Sequence, residues 1–101
     1  MRDESDTVRE KLERLHQQGA FPKSPIIRRF DVYADNDSTG DPAYYIAVLL
    51  DDATPEEELT PDTLRAIDRI VFDAVFKGPE ERWPYIRVVR EQDYFAAVEE
   101  W

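Results

Sequence analysis

The chain has 101 residues, 42% of them hydrophobic, which is enough for one compact core and too short for two ordinary domains. Its 13 Lys and Arg stand against 23 Asp and Glu, a formal charge of −10 that argues against a module living on phosphate contacts. The absence of cysteine excludes disulfides, thiolate metal sites, iron–sulfur clusters and cysteine nucleophiles, and a lone histidine, His16, excludes a multi-histidine metal centre.

Met1 to Glu10 is polar and charged, without the apolar stretch a signal peptide needs. The longest nearly unbroken apolar run, Ala43 to Leu50, is far short of the roughly 20 residues that span a bilayer. A cytoplasmic protein is expected, folded as a single α+β domain over residues 1–101.

Thr7 and Glu10 have the spacing of a capping box. Val8, Leu12 and Leu15 then fall on one helical stripe, and Gly19 supplies a left-handed stop. From Ile26 the period changes to two, with Ile26, Phe30 and Val32 on one side and Ile27, Arg29, Asp31 and Tyr33 on the other. Arg28 is discordant in this first strand. Asp35 to Pro42 collects turn formers. The second strand, Ala43 to Leu50, is apolar on both faces and belongs in the middle of its sheet.

Asp51 to Asp62 holds six carboxylates and no base, an expected solvated linker with one helical turn after Pro55 or, alternatively, a docking stretch for a basic partner. Thr60 and Pro61 open a helix in which Leu64, Ile67, Val71, Ala74 and Val75 repeat at helical spacing. Ile70, Phe72 and Phe76 widen its apolar surface before Gly78 and Pro79 end it. Tyr85 to Arg90 reads as a third strand. A last helix follows, capped by Asp93, with Tyr94, Phe95, Val98 and Trp101 on one face.

The order helix, strand, strand, helix, strand, helix implies an α+β fold, a small two-layer sandwich with a three-stranded mixed sheet. A right-handed crossover makes the third strand parallel to the second, and the two-faced second strand favours order 1-2-3 over 2-1-3.

No motif identifies an activity. Asp35, Asp37, Thr39 and Gly40 match the first half of an EF-hand loop, but Ile46 stands where the bidentate Glu belongs, so a polar hairpin turn is the simpler reading. Carboxylate pairs drawn from Asp31, Asp35, Asp51 or Asp52 carry no specificity among 23 acids. His16 lacks an identifiable nucleophile or orienting carboxylate, and Gly19, Gly40 and Gly78 are isolated at element junctions, so no phosphate-cradling loop is present. No catalytic residue, cofactor or metal is expected.

The outline of strand, Gly-containing turn and strand ending in acids, Asp31 to Asp52, is similar to the core of minimal nucleotidyltransferases, small proteins paired with helical partners in some toxin–antitoxin operons. In that family a Gly-Ser opens the first helix after a strand, and two alternating Asp on the next strand hold magnesium. Here Asp35 and Asn36 stand in place of Gly-Ser, and Ala43 and Tyr45 in place of the alternating Asp. The resemblance implies at most a catalytically divergent relative or an antitoxin-like protein. An active version would need Asp51, Asp52 or the Asp35 to Asp41 loop to hold magnesium.

Strand parity puts Arg29, Tyr33, Tyr45, Leu49, Tyr85, Arg87 and Val89 on the sheet face opposite Phe30, Ile46 and Val88. Tyr and Arg together are the composition of interface hot spots. Each tyrosine brings about 150 to 250 Å² of buriable surface, so either a terminal helix covers this face or it binds protein, a second copy or a different partner. The same set, with Arg28, Arg29, Arg87 and Arg90, gives an RNA-binding sheet as a further alternative, which the net charge argues against.

Overall fold

A computed structural model describes residues 4–78 and 81–97, with side chains through Tyr94. Helix α1 (Glu4–Gln17), strands β1 (Ile27–Asn36) and β2 (Pro42–Leu50), a 3-10 turn (Glu56–Glu58), helix α2 (Pro61–Val75), strand β3 (Trp83–Arg90) and helix α3 (Glu91–Ala97) follow one another. The fold is α+β with a mixed sheet of order β1-β2-β3, in which β1 and β2 are antiparallel and β2 and β3 parallel.

The two-faced apolarity of β2 has its expected consequence. Ile46, Ala47, Val48, Leu49 and Leu50 are all fully buried, because each face of the central strand is covered. On the inner face Phe30, Val32, Ile46, Val48 and Leu50 pack beneath Leu12 of α1 and Ile67, Val71 and Val75 of α2. On the outer face α3 lays Tyr94 over Ala47 and Leu49, with Val89 alongside. The terminal helix therefore covers one end of this face.

Local signals account for several boundaries. Gly19, at φ 79°, closes α1 as a left-handed cap, with the Ala20 amide donating to the Leu15 carbonyl and the Gly19 amide to that of His16. The Thr60 hydroxyl accepts from the Thr63 amide and Pro61 occupies the first turn of α2.

Four expectations need correction. Ile27, not Ile26, is buried with Phe30 and Val32, while Ile26 is 60% exposed. The pairing with β2 shifts register between Ile27 and Arg29, so a β-bulge at Arg28 absorbs the discordant residue and turns the start of the strand over. Helix α1 begins at Glu4, which places Thr7 and Glu10 inside it rather than at a capping box. Glu4 and Asp6 favour the positive helix end, and Arg82 holds Glu4 at 2.5 Å. Asp35 and Asn36 belong to β1, which narrows the turn. Asp93 does not cap α3, which starts at Glu91; the Gln92 amide donates instead to Asp52 Oδ1, 2.8 Å away, from the loop after β2. The Phe95 side chain, Val98 and Trp101 lie outside the described residues.

Arg82 fastens the entry to β3. Its guanidinium donates to Glu4, to the Asp35 carbonyl at 3.1 Å and to the Ala43 carbonyl at 3.2 Å, and it lies over the Tyr44 ring. It thereby ties α1 to the hairpin end of the sheet.

Candidate functional site

The pairing registers place the seven candidate residues in cross-strand rows on the outer face: Tyr33, Tyr45 and Tyr85 in one, Arg29, Leu49 and Val89 in another, and Arg87 between them beside Asp31 and Ala47. The two ends of this face differ. Leu49 is inaccessible, and Val89 packs with it under Tyr94, whose hydroxyl donates to Asp31 Oδ2 at 2.7 Å. Arg29 binds Glu91 at 2.6 Å, so α3 anchors there.

The other end is a ridge of tyrosines. Tyr33 and Tyr45 stack with centroids 5.1 Å apart and planes 18° from parallel, and Tyr45 and Tyr85 with 5.5 Å and 17°. These separations follow the strand spacing, so the rings stand side by side above their strands. Tyr33 and Tyr85 remain 40% and 39% exposed. Both faces of the Tyr45 ring meet its neighbours, so the ridge offers ring edges and hydroxyls rather than an open platform for base stacking.

The hairpin tip fixes one end of this ridge. Asp37 Oδ1 accepts from the Thr39 amide, the Thr39 hydroxyl and the Asp41 amide, and Oδ2 accepts from the Tyr85 hydroxyl at 2.9 Å. Gly40, at φ 87°, supplies the left-handed residue that a side chain would strain. Hydrogen bonds, above all from the Thr39 hydroxyl, hold the Asp37 carboxyl down to about 2. The EF-hand-like residues therefore form a self-contained turn whose central carboxylate is already occupied. Among the described residues no group of three or more carboxylates or histidines is placed to hold a metal ion.

The hydrogen bond to Asp37 raises the Tyr85 hydroxyl pKa above 10, and burial raises that of Tyr33, with Tyr45, Asp35 and Asp31 adding to it. Tyr33 and Tyr85 thus keep their phenol protons through the physiological range. Beside it a depression of about 380 Å³ is lined by Asp37, Ser38, Tyr45, Tyr85, Ile86 and Arg87.

Other candidate groups are bound up in the fold. Arg28 pairs with Asp51, and Arg90 donates to the Thr54 carbonyl and lies near Glu56 and Asp93, which neutralises much of the patch an RNA would need. The acidic stretch Asp51 to Asp62 is largely engaged too: Asp52 caps α3, Glu58 accepts from Ser24, and Asp62 pairs with Arg65. His16 stands edge-on to Phe21 and Phe30, 6.0 Å from each centroid, as a boundary residue of the core. The turn after β1 leads straight into antiparallel β2 with no intervening helix, unlike the nucleotidyltransferase arrangement. No helix among the described residues is long and apolar enough to cross a membrane.

No family model, curated protein or solved structure matches the chain.

The depressed pKa of Asp37 makes an acid test of the ridge. A carboxyl whose folded pKa lies below its ordinary 3.8 adds stability above that value and loses it as pH falls towards about 2. Denaturant unfolding at pH 5 and pH 2 should therefore show a smaller acid loss in Asp37→Asn than in the wild type. Equal losses would mean that the carboxylate does not support the turn.

Proposed function

We propose that this chain is a non-enzymatic, cytoplasmic interaction module that binds another protein through the tyrosine end of its outer sheet face. The observation that carries this reading is the row Tyr33, Tyr45 and Tyr85, stacked and partly exposed on a rigid sheet. Rigid aromatic side chains with a polar tip give large contact area at little cost in conformational entropy, which is why they dominate interface hot spots. Asp31, Asp35 and Asp37 border the row, and the whole chain carries −10. A segment bearing Lys or Arg is the complementary partner, its cations meeting the carboxylates while its apolar atoms lie along the ring edges.

A displayed random-peptide library tests this directly. Selection on the wild-type chain should enrich Lys- or Arg-containing peptides that bind at least about tenfold more weakly to Tyr33→Ser/Tyr45→Ser, a difference of about 1.4 kcal/mol. Circular dichroism should confirm that the variant is folded. Peptides recovered equally well by a folded variant would remove the ridge as the binding site.

A further inference from the structure

The two ends of the tyrosine row differ in charge and in what they leave open. At the β3 end the Tyr85 hydroxyl is spent on Asp37, whose other oxygen accepts from Thr39 and Asp41, and Arg87 follows two residues later on the same face. A cation arriving there meets a positive neighbour and a carboxylate already engaged. At the β1 end the arrangement is reversed. β1 is an edge strand, so Tyr33 has a neighbouring ring, Tyr45, on one face only, and no described strand lies beyond the other. Because side chains alternate along a strand, Asp31 and Asp35 flank Tyr33 on the same sheet face, each about 7 Å away along the backbone.

Among the described residues neither flanking carboxylate is paired with a base. Asp31 accepts the Tyr94 hydroxyl on Oδ2, and Asp35 accepts the Asn36 amide on Oδ1, both neutral donors. Two bases of the neighbourhood are held elsewhere: Arg29 donates to Glu91, and Arg82, though it binds the Asp35 carbonyl, pairs with Glu4. Burial first, then Tyr45, Asp35 and Asp31, raise the Tyr33 hydroxyl above its usual 10, so both carboxylates lie within electrostatic reach of the ring.

We propose that the outer face of Tyr33 is a seat for one cation, the guanidinium of an arginine side chain, stacked on the ring with Asp31 and Asp35 on either side. The inference rests on the reading of the ridge as a protein-binding surface and names the side chain that its β1 end takes. An aromatic face attracts a cation through the ring quadrupole, and the flanking carboxylates add to that attraction. Guanidinium fits this place better than ammonium. It is planar and weakly hydrated, and its N–H donors lie around its rim, so while its face rests on the ring its edges point along the strand towards both carboxylates. An ammonium is a compact, strongly hydrated charge that gains less from a flat ring.

The probe is N-acetyl-L-arginine amide, with the lysine derivative and the neutral citrulline derivative for comparison. One exposed cation–π contact is weak, so each is titrated into the full chain to about 100 mM at constant ionic strength while NMR follows the tyrosine ring protons. Tyr33 should shift most with arginine, at least about twofold less with lysine, and not with citrulline. Asp35→Asn, which spares the bond between Tyr94 and Asp31, should reduce the arginine shift at least about twofold with the amide spectrum otherwise unchanged. Tyr33→Leu should abolish the arginine-dependent shift of the Asp35 amide. Equal shifts with citrulline, or an arginine response centred on Tyr85, overturn the proposal, as does a folded Asp35→Asn that responds like the wild type. The peptide selection separates the two readings. Tyrosine-dependent peptides with an unresponsive Tyr33 overturn the seat and leave the ridge standing, whereas a responsive Tyr33 without such peptides supports the seat and overturns the reading of the ridge.

Discussion

Replacing Ile46 with Ala is expected to lower the unfolding free energy by about 2 to 5 kcal/mol, a large part of the roughly 5 to 15 kcal/mol that holds a domain of this size together. Ile46 is fully buried in the central strand, paired with Val32 on one side and Ile86 on the other, in the same core as Leu12, Ile67 and Val71. Truncation removes the transfer energy of its outer carbons and leaves a cavity that two helices and two strands must close. Urea denaturation should show a lower midpoint with little change in slope, and a loss below about 1 kcal/mol would mean that this core is loosely packed. Ile26→Ala is the control: at 60% exposure it should change stability by no more than about 0.5 kcal/mol.

Tyr94→Ala should cost about 3 to 5 kcal/mol, the range for removing a buried large aromatic side chain. Tyr94 is 4% exposed, covers Ala47 and Leu49, and bonds Asp31 across the sheet. Its loss detaches α3 and joins the apolar end of the outer face to the tyrosine ridge, so binding of a hydrophobic dye should rise together with the loss of stability. Tyr94→Phe keeps the cover and removes only the hydroxyl, which should cost about 1 kcal/mol because Asp31 remains partly hydrated. If Tyr94→Ala unfolds no more easily than Tyr94→Phe, the ring is not what seats α3.

Chain order, strand parity and the central place of β2 were legible because each rests on short-range periodicity. The run from Ala43 to Leu50 has no polar face, so it has to be covered on both sides, and the alternation of Tyr45 with Ile46 and of Tyr85 with Ile86 fixes which residues share a face. Thr60, Pro61 and Gly19 marked helix ends through chemistry confined to one turn. Composition also set the charge of −10 and removed cysteine chemistry.

What required tertiary structure involves partners distant in sequence. The reversal of Ile26 and Ile27 comes from a bulge that exists only once β1 lies against β2. Asp52, not Asp93, caps α3 because the loop after β2 reaches the Gln92 amide, and no local rule anticipates a bond across forty residues. The candidate face looked uniform in sequence, yet Leu49 lies under Tyr94 while Tyr33 and Tyr85 stay open, since where α3 stops depends on the geometry of its departure from β3. Periodicity assigns a residue to a face, but only the packed chain decides which part of that face meets solvent.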